Sequence, residues 1–196
     1  MRQEKYEELR EAIEEMKTIK KVLLEEPHNF ITIKKFQCLL NNNHLIKREQ
    51  IIKRGNNGSA VIILPITKEG NTIITIQPRV FTKSTIGIGL PAGYVEENES
   101  YLIAAKRELK EETGYEAEEY IDLCSYYQDD GCSAAFNKGY LGLNCKKTSN
   151  QHLDSSEYIK YMECTYEELL ELVEKGYIQE GGSQLLIERS KKYILK

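Results

Sequence analysis

Three glutamates lie within one helical turn near the middle of this chain, and they are its clearest candidates for chemistry. Glu108, Glu111 and Glu112 fall in a run of strong helix formers that contains neither glycine nor proline. Carboxylates three or four positions apart on a helix repel each other, so the cluster favours a bound cation. Mg²⁺ fits because it takes oxygen ligands and commonly combines one or two carboxylates with phosphate and water oxygens. The alternative is an acidic, solvated helix face.

The run around these glutamates is predicted to form a helix that packs against a core. Leu102, Ala105 and Leu109 recur at helical spacing, and we expect this stripe to face the protein interior. The three glutamates are then expected to share the flank beside it. Gly114 should end the helix.

A frame of fixed residues surrounds the glutamates. In order, it consists of Gly93, Glu99, Arg107, Glu108, Leu109, Glu111, Glu112 and Gly114, followed by a hydrophobic residue. This spacing resembles the Nudix box, the signature of the Nudix hydrolases. Tyr115 is a departure, because the family prefers an aliphatic residue at that position.

The resemblance implies a role for each residue of the box. Glu108 and Glu112 would bind the metal, and Glu111 would support them. Arg107 and Glu99 would fix the box through an ion pair, the kind of outer contact that a metal site needs. The residues implied to support the box structurally are Gly93, Glu99, Arg107 and Gly114.

Two segments before the box are similar to the ADP-ribose pyrophosphatase branch of the family. Leu90-Pro91-Ala92-Gly93 resembles the turn that leads into the box, which implies that the Ala92 carbonyl is a further metal ligand. Gly89 stands where the branch carries a glutamate. Gln77-Pro78-Arg79 resembles a segment whose arginine lies in the substrate cleft, so Arg79 is expected to bind substrate.

Two loops after the box are candidates for substrate recognition and proton transfer. Asp129, Asp130 and Ser133 lie in a predicted turn between strands, where the branch often has a proline that this chain lacks, so we expect them to affect specificity. Glu157 lies where a polar loop meets a strand, and the resemblance implies that it is the general base. Asp154 and the box glutamates are the alternatives.

The resemblance implies hydrolysis of the diphosphate linkage in a nucleoside diphosphate derivative. ADP-ribose or a related nucleotide sugar would be cleaved to two monophosphates, with Mg²⁺ as cofactor and Mn²⁺ as the alternative. A hydrolase of oxidised nucleoside triphosphates is a second interpretation. A Nudix-fold protein that binds a ligand without turnover is a third, although such proteins generally lose box glutamates and this chain retains them.

Hydrophobic periodicity outlines the elements that would position these residues. The first 25 or so residues are predicted to be an amphipathic helix, and an Asn41-Asn42-Asn43 turn should join two strands of a hairpin. Thr165 and Glu168 form a capping box that opens a helix ending at Glu174, and Ser183 should cap the last helix. Further strands are predicted over residues 60–65, 72–77, 121–127, 134–143 and 158–163.

These elements indicate one α/β (α+β) unit with a mixed sheet sandwiched between helices, as in the Nudix fold. Residues 1–57 would be an extension made of the amphipathic helix and the hairpin, and residues 58–196 the hydrolase domain. The apolar stripe from Tyr6 to Leu23 needs a covering surface. Packing on its own domain and pairing in a homodimer are the two interpretations.

Composition excludes several functions. The formal net charge is −4, so the overall field does not favour a nucleic-acid partner. The five cysteines show no C-x-x-C pair, which indicates reduced thiols of a cytoplasmic protein and no zinc site. No run of about 18 apolar residues is present, so no membrane association is expected.

Overall fold

The computed structural model describes residues 2–22, 30–53 and 56–195. Its elements, in chain order, are α1 (Gln3–Met16), β1 (Ile31–Leu39), β2 (Leu45–Lys53), β3 (Ala60–Thr67), β4 (Asn71–Pro78), β5 (Ile86–Gly89), β6 (Ala92–Tyr94), α2 (Tyr101–Thr113), β7 (Tyr115–Glu116), β8 (Glu119–Tyr127), β9 (Phe136–Lys147), β10 (Lys160–Thr165), α3 (Tyr166–Glu174) and α4 (Gly181–Ile194). No helix in these ranges has the length and hydropathy needed to cross a lipid bilayer.

Eight strands form one mixed sheet centred on β3. Along its main path the order is β10-β4-β3-β9-β7, while β5 pairs with β4, β6 with β3 and β8 with β9. β3 and β9 run parallel, and the other described pairs of this sheet are antiparallel. The predicted mixed sheet is therefore confirmed.

The helices cover both faces of this sheet. Side chains along a strand point alternately to opposite faces. Val61 and Ile63 of β3 accordingly pack in one core cluster with α2, whereas Ile62 and Leu64 pack in another with α1, α3 and α4. The continuous apolar run of β3 follows from this, because both of its faces are buried.

α1 is shorter than the sequence predicts. It ends at Met16, and Lys17 has extended backbone angles of φ −62° and ψ 136°. The chain beyond is held by tertiary bonds that compete with a helix, including one from the Thr18 amide to the Thr85 hydroxyl. Leu23, the last residue of the predicted stripe, lies outside the described residues. Leu9 and Met16 are buried in the larger core, so the described part of the stripe is covered by its own chain.

β1 and β2 form a separate two-stranded hairpin, as predicted. Their register runs from Ile31 opposite Lys53 to Leu39 opposite Leu45, and most of the hairpin's side chains are exposed. The Ile51 amide of β2 donates to the Cys132 carbonyl at 2.8 Å, which joins the hairpin to the β8–β9 turn.

The last two helices differ in how well the sequence predicts their starts. The capping box of Thr165 and Glu168 at the start of α3 is confirmed. Ser183, however, does not cap α4, because Glu180 accepts hydrogen bonds from the amides of Gly182 and Ser183. Ser183 instead lies buried inside the helix, where its hydroxyl accepts from the Leu90 amide at 3.1 Å.

Candidate active site

Local signals define both ends of α2. The Ser100 hydroxyl accepts from the Ile103 amide at the start of the helix, and Gly114 ends it with a φ of 76°. A Cβ at Gly114 would lie only 2.1 Å from the carbonyl oxygen of Ser149. Glycine is therefore required here twice, once for the left-handed conformation and once for the close approach of the following loop.

The buried face of α2 is rotated from the predicted one. Leu102 is 40% exposed, whereas Ala104, Ala105 and Leu109 are buried. This rotation turns two of the three glutamates inward, so that Glu108 and Glu112 are 7% and 2% exposed. Glu111 is partly exposed. The three carboxylates thus do not share a solvated flank, because the packing of α2 on β3 and β6 draws two of them into the protein.

β6 lies directly against the two buried carboxylates. A Cβ at Gly93 would lie 2.0 Å from the carboxyl carbon of Glu108, so only glycine allows this approach. The Ala92 amide donates to Glu112 Oε2 at 3.0 Å. The turn into the box is therefore held by the carboxylates that it helps to position.

Arg107 connects the acidic residues of the box. Its Nε and Nη2 donate to the two carboxylate oxygens of Glu99, both at 2.9 Å. Its Nη1 donates to Glu108 at 2.7 Å and to Glu111 at 3.0 Å. A bidentate pair between a guanidinium and a carboxylate is strong and geometrically specific, so Arg107 fixes the box as one unit.

The buried carboxylates are electrostatically strained. Burial raises the pKa of Glu108 to about 7, although the neighbouring Arg107 guanidinium acts in the opposite direction. Burial also raises the pKa of Glu112 well above its usual range, and the negative charge of Glu108 adds to the increase. Glu157 is close enough that its charge raises both pKa values further. A cation in this position would relieve the repulsion.

One cleft of about 390 Å³ contains most of the predicted site residues. The predicted residues among its lining are Arg79, Ala92, Gly93, Arg107, Glu108, Glu111, Glu112, Asp154 and Glu157. Arg79 reaches the cleft because it directly follows β4, and Glu157 because its loop folds back over the end of α2. Residues far apart in sequence therefore meet around the box.

Gln151 holds the Glu157 loop in place. Its amide nitrogen donates to the Glu112 carbonyl at 2.5 Å and to the Ile159 carbonyl at 3.1 Å. The His152 amide donates to the Glu111 carbonyl at 2.9 Å. The start of the loop is thus tied to the last turn of α2, and the Gln151 side chain links the far end of the loop at Ile159 to that start.

Glu157 faces its competitor Asp154 inside this loop. The Asp154 amide donates to Glu157 Oε2 at 3.1 Å, and the Glu157 amide donates to the Asp154 carbonyl at 2.9 Å. Both residues line the cleft, so position alone does not choose between them as the base.

Asp129, Asp130 and Ser133 lie outside the lining of this cleft. They belong to the β8–β9 turn, where the Asp129 carbonyl accepts from the Ser133 amide at 2.7 Å. Ser133 also forms an isolated bridge with Ile51 of the hairpin. Their effect on specificity stays a prediction.

Sequence analysis missed several residues around the site, including Tyr94, Tyr158 and Gln151. Tyr94 and Tyr158 line the cleft, and both are exposed. The available signal was their position, since each directly follows a residue that was singled out, Gly93 or Glu157. Gln151 gave no comparable signal, because its hydrogen bonds join distant parts of the chain.

The donor set fits a cation that takes only part of its coordination shell from the protein. Within residues 2–22, 30–53 and 56–195, no three acidic, histidine or cysteine side chains converge closely enough to hold an ion by themselves. Arg107 donates hydrogen bonds to Glu108 and Glu111, and Glu112 accepts one from the Ala92 amide. Mg²⁺ commonly keeps waters and substrate phosphates as ligands beside one or two carboxylates, so a full protein cage is not required.

Comparisons with known proteins agree with this geometry. The family model described as the NUDIX domain matches residues 56–184. A relative from Bacillus subtilis (strain 168), described as ADP-ribose pyrophosphatase, is 31% identical over 150 residues, which cover 76% of this chain and 78% of the relative. A relative from Bacillus methanolicus, described as methanol dehydrogenase activator, is 29% identical with the same coverage of both chains. A solved structure described as an ADP compounds hydrolase has a TM-score of 0.71 at 21% identity, covering 91% of this chain and 94% of that one.

Proposed function

This chain belongs to the Nudix hydrolase family, and we propose that its substrate is ADP-ribose or a related nucleotide sugar. Hydrolysis of the diphosphate linkage would give two monophosphates. The observation that carries the proposal is the cleft itself, which has the cationic Arg79 and the buried Glu108 and Glu112 among its lining residues. A diphosphate needs positive charge around its oxygens, and a bound cation together with Arg79 would supply it.

Mg²⁺ is the proposed cofactor, with Mn²⁺ as the alternative. Glu108 and Glu112 would hold it together with the Ala92 carbonyl, and Glu111 would support them. When bound, the cation would neutralise charge on the diphosphate oxygens and lower the pKa of a water. Arg107 and Glu99 would keep the carboxylates in position through the bidentate pair.

Glu157 is the proposed general base. It would take a proton from the attacking water while a new P–O bond forms and the bridging P–O bond to the departing monophosphate breaks. The box glutamates are less suited, because carboxylates committed to a cation have low proton affinity. Asp154 and Glu111 remain the alternatives.

A second copy of the chain is the proposed partner. Ile33 pairs with Ile51 and Leu39 with Leu45 across the hairpin, which places these side chains on one face. Ile33, Leu39 and Leu45 are exposed there. A closed two-fold dimer is the commonest assembly of soluble chains and would cover this face. We also propose that the protein works in the cytoplasm, where its free cysteines would stay reduced.

A substrate panel tests the proposed reaction. ADP-ribose, ADP-glucose, NADH, coenzyme A and 8-oxo-dGTP would each be incubated with the protein and Mg²⁺, with an EDTA control, and the products separated by chromatography. We expect AMP and ribose 5-phosphate from ADP-ribose at the highest kcat/KM. Faster cleavage of 8-oxo-dGTP would favour a house-cleaning hydrolase instead. Binding of ADP-ribose without turnover of any compound would favour a ligand-binding protein.

A further inference from the structure

A second cavity of about 500 Å³ lies beside the catalytic cleft. Arg79 lines both. The lining of the second cavity also includes Ile13, Ile86, Ile88, Tyr177 and Gln179. A volume of this size is within the usual range of small-molecule sites.

The N-terminal segment helps to build this cavity. Ile13 belongs to α1, which lies outside residues 56–184 matched by the family model. Beyond α1, the Thr18 amide donates to the Thr85 hydroxyl at 3.1 Å, and Lys21 Nζ donates to the Val80 carbonyl at 2.8 Å. The segment therefore supplies one wall and holds the β4–β5 loop that carries Arg79.

Gly87 determines how Arg79 lies between the two spaces. A Cβ at Gly87 would be 2.6 Å from Arg79 Cγ and 3.6 Å from its Cδ and Nε. The stem of Arg79 therefore lies flat on the backbone of β5. A side chain at position 87 would push Arg79 away from this strand and change both walls.

The lining of the second cavity suits a nucleoside better than a sugar phosphate. Ile13, Ile86, Ile88 and Tyr177 offer apolar surface for a planar base. The hydroxyls of Thr82 and Ser84 and the Gln179 amide nitrogen already donate to backbone carbonyls, so these side chains offer a base mainly their oxygen atoms as hydrogen-bond acceptors. Ribose 5-phosphate has no comparable apolar face.

We propose that the second cavity binds the nucleoside half of the substrate while the diphosphate lies in the catalytic cleft. The N-terminal helix α1 would then contribute to substrate selection in addition to stabilising the fold. This inference rests on the proposed function, because it assumes a nucleoside diphosphate substrate.

The test compares two variants of the N-terminal segment. Ile13→Trp would fill the cavity, whereas Ile19→Trp adds the same side chain at a position that is 99% exposed and outside the lining. Calorimetry would measure the affinity of each for AMP and for ribose 5-phosphate, the two expected products. We expect Ile13→Trp to weaken the binding of AMP at least about tenfold and to leave the affinity for ribose 5-phosphate within twofold of the wild-type value. Ile19→Trp should change neither affinity.

Gln179→Trp guards against misfolding of the first variant, because Gln179 is exposed at the rim of the cavity. Gln179→Trp should also lower the affinity for AMP. The assignment would be overturned by any of three results: equal affinities in all variants, weaker binding of ribose 5-phosphate instead of AMP, or no binding of AMP by the wild type. Equilibrium binding needs no turnover, so failure of the proposed reaction would be seen separately in the substrate panel.

Discussion

Glu112 illustrates at the residue scale how function opposes stability. Its carboxylate is almost fully buried beside Glu108, and its bonded partner is the Ala92 amide. We expect Glu112→Gln to lower kcat by orders of magnitude and to leave the melting temperature unchanged or slightly higher, because the variant removes a carboxyl group whose ionised form is opposed by burial and by Glu108. Steady-state kinetics and thermal unfolding would measure both, with the exposed Glu97→Gln as control. Full activity of the wild type in EDTA would contradict a metal role.

The base can be identified by three substitutions that remove a carboxylate without changing its shape much. Glu157→Gln should reduce kcat by about 10²–10⁴, with metal affinity unchanged. Asp154→Asn and Glu111→Gln should have smaller effects if Glu157 is the base. If Glu157→Gln retains activity within a few-fold while one of the others is inactive, that residue is the base instead.

The raised pKa of Glu108 predicts how stability depends on pH without metal. Between its usual value near 4.5 and about 7, the folded protein keeps a proton that the unfolded chain has released. The folded state thus binds more protons, so the free energy of unfolding falls as pH rises through this window. In EDTA, the melting temperature of the wild type should fall more between about pH 5 and pH 8 than that of Glu108→Gln. Each kcal/mol lost from the free energy of unfolding should lower the melting temperature by roughly 2–4 °C.

The Glu108→Gln comparison separates this effect from other titrations. Mg²⁺ should restore the stability of the wild type at the upper end of the window, since it favours the ionised carboxylates. If the melting temperatures of the wild type and Glu108→Gln change with pH by the same amount, Glu108 is not the group that titrates.

At the scale of elements, the loop from Gln151 to Ile159 is expected to depend on one side chain. Gln151→Leu removes the bonds to the Glu112 and Ile159 carbonyls and should lower kcat at least about tenfold, because small misplacements of a catalytic group are costly. Gln128→Leu, an exposed residue in the β8–β9 turn, is the matched control.

A double substitution distinguishes positioning from a general structural effect. In the Glu157→Gln background, Gln151→Leu should cause little further loss, because the group that it positions is already removed. Losses that multiply would indicate that Gln151 acts independently of Glu157.

Local signals predicted most elements, and tertiary contacts explain the differences. The apolar run of β3 and the capping box of α3 each depend on residues that are close together in the sequence, so both could be predicted. The rotation of α2 could not be predicted, because hydrophobic periodicity assigns Leu102, and not Glu108, to the buried face of the helix. The early end of α1 depends on Thr85, more than sixty positions away.

The site divides in the same way. The residues of the box lie close together in the sequence, so their spacing identifies them. Arg79 was identified from its segment, which directly follows a predicted strand. Gln151 acts through hydrogen bonds to distant backbone groups, and such bonds leave no period or motif in the sequence.

At the scale of the whole molecule, the apolar face of the hairpin is the surface through which we propose that two chains pair. Ile33→Lys would place a charge on its apolar face, whereas Thr32→Lys places the same charge on the opposite face. Light scattering should give twice the 22.6 kDa of one chain for the wild type and Thr32→Lys, and a lower mass for Ile33→Lys. A wild-type mass of 22.6 kDa at micromolar concentration would refute the dimer.

The parallel pairing of β3 with β9 also affects how the molecule folds. It joins Val61 to Lys138, 77 positions apart, and the whole of α2 lies in the chain between them. Closing so long a loop is entropically expensive and slow, so we infer that the central pair forms late. α2, the helix that carries the box glutamates, is part of that connection. Its final position is therefore reached together with the global folding transition, and free energy gained when a ligand binds the cleft should slow unfolding of the entire domain.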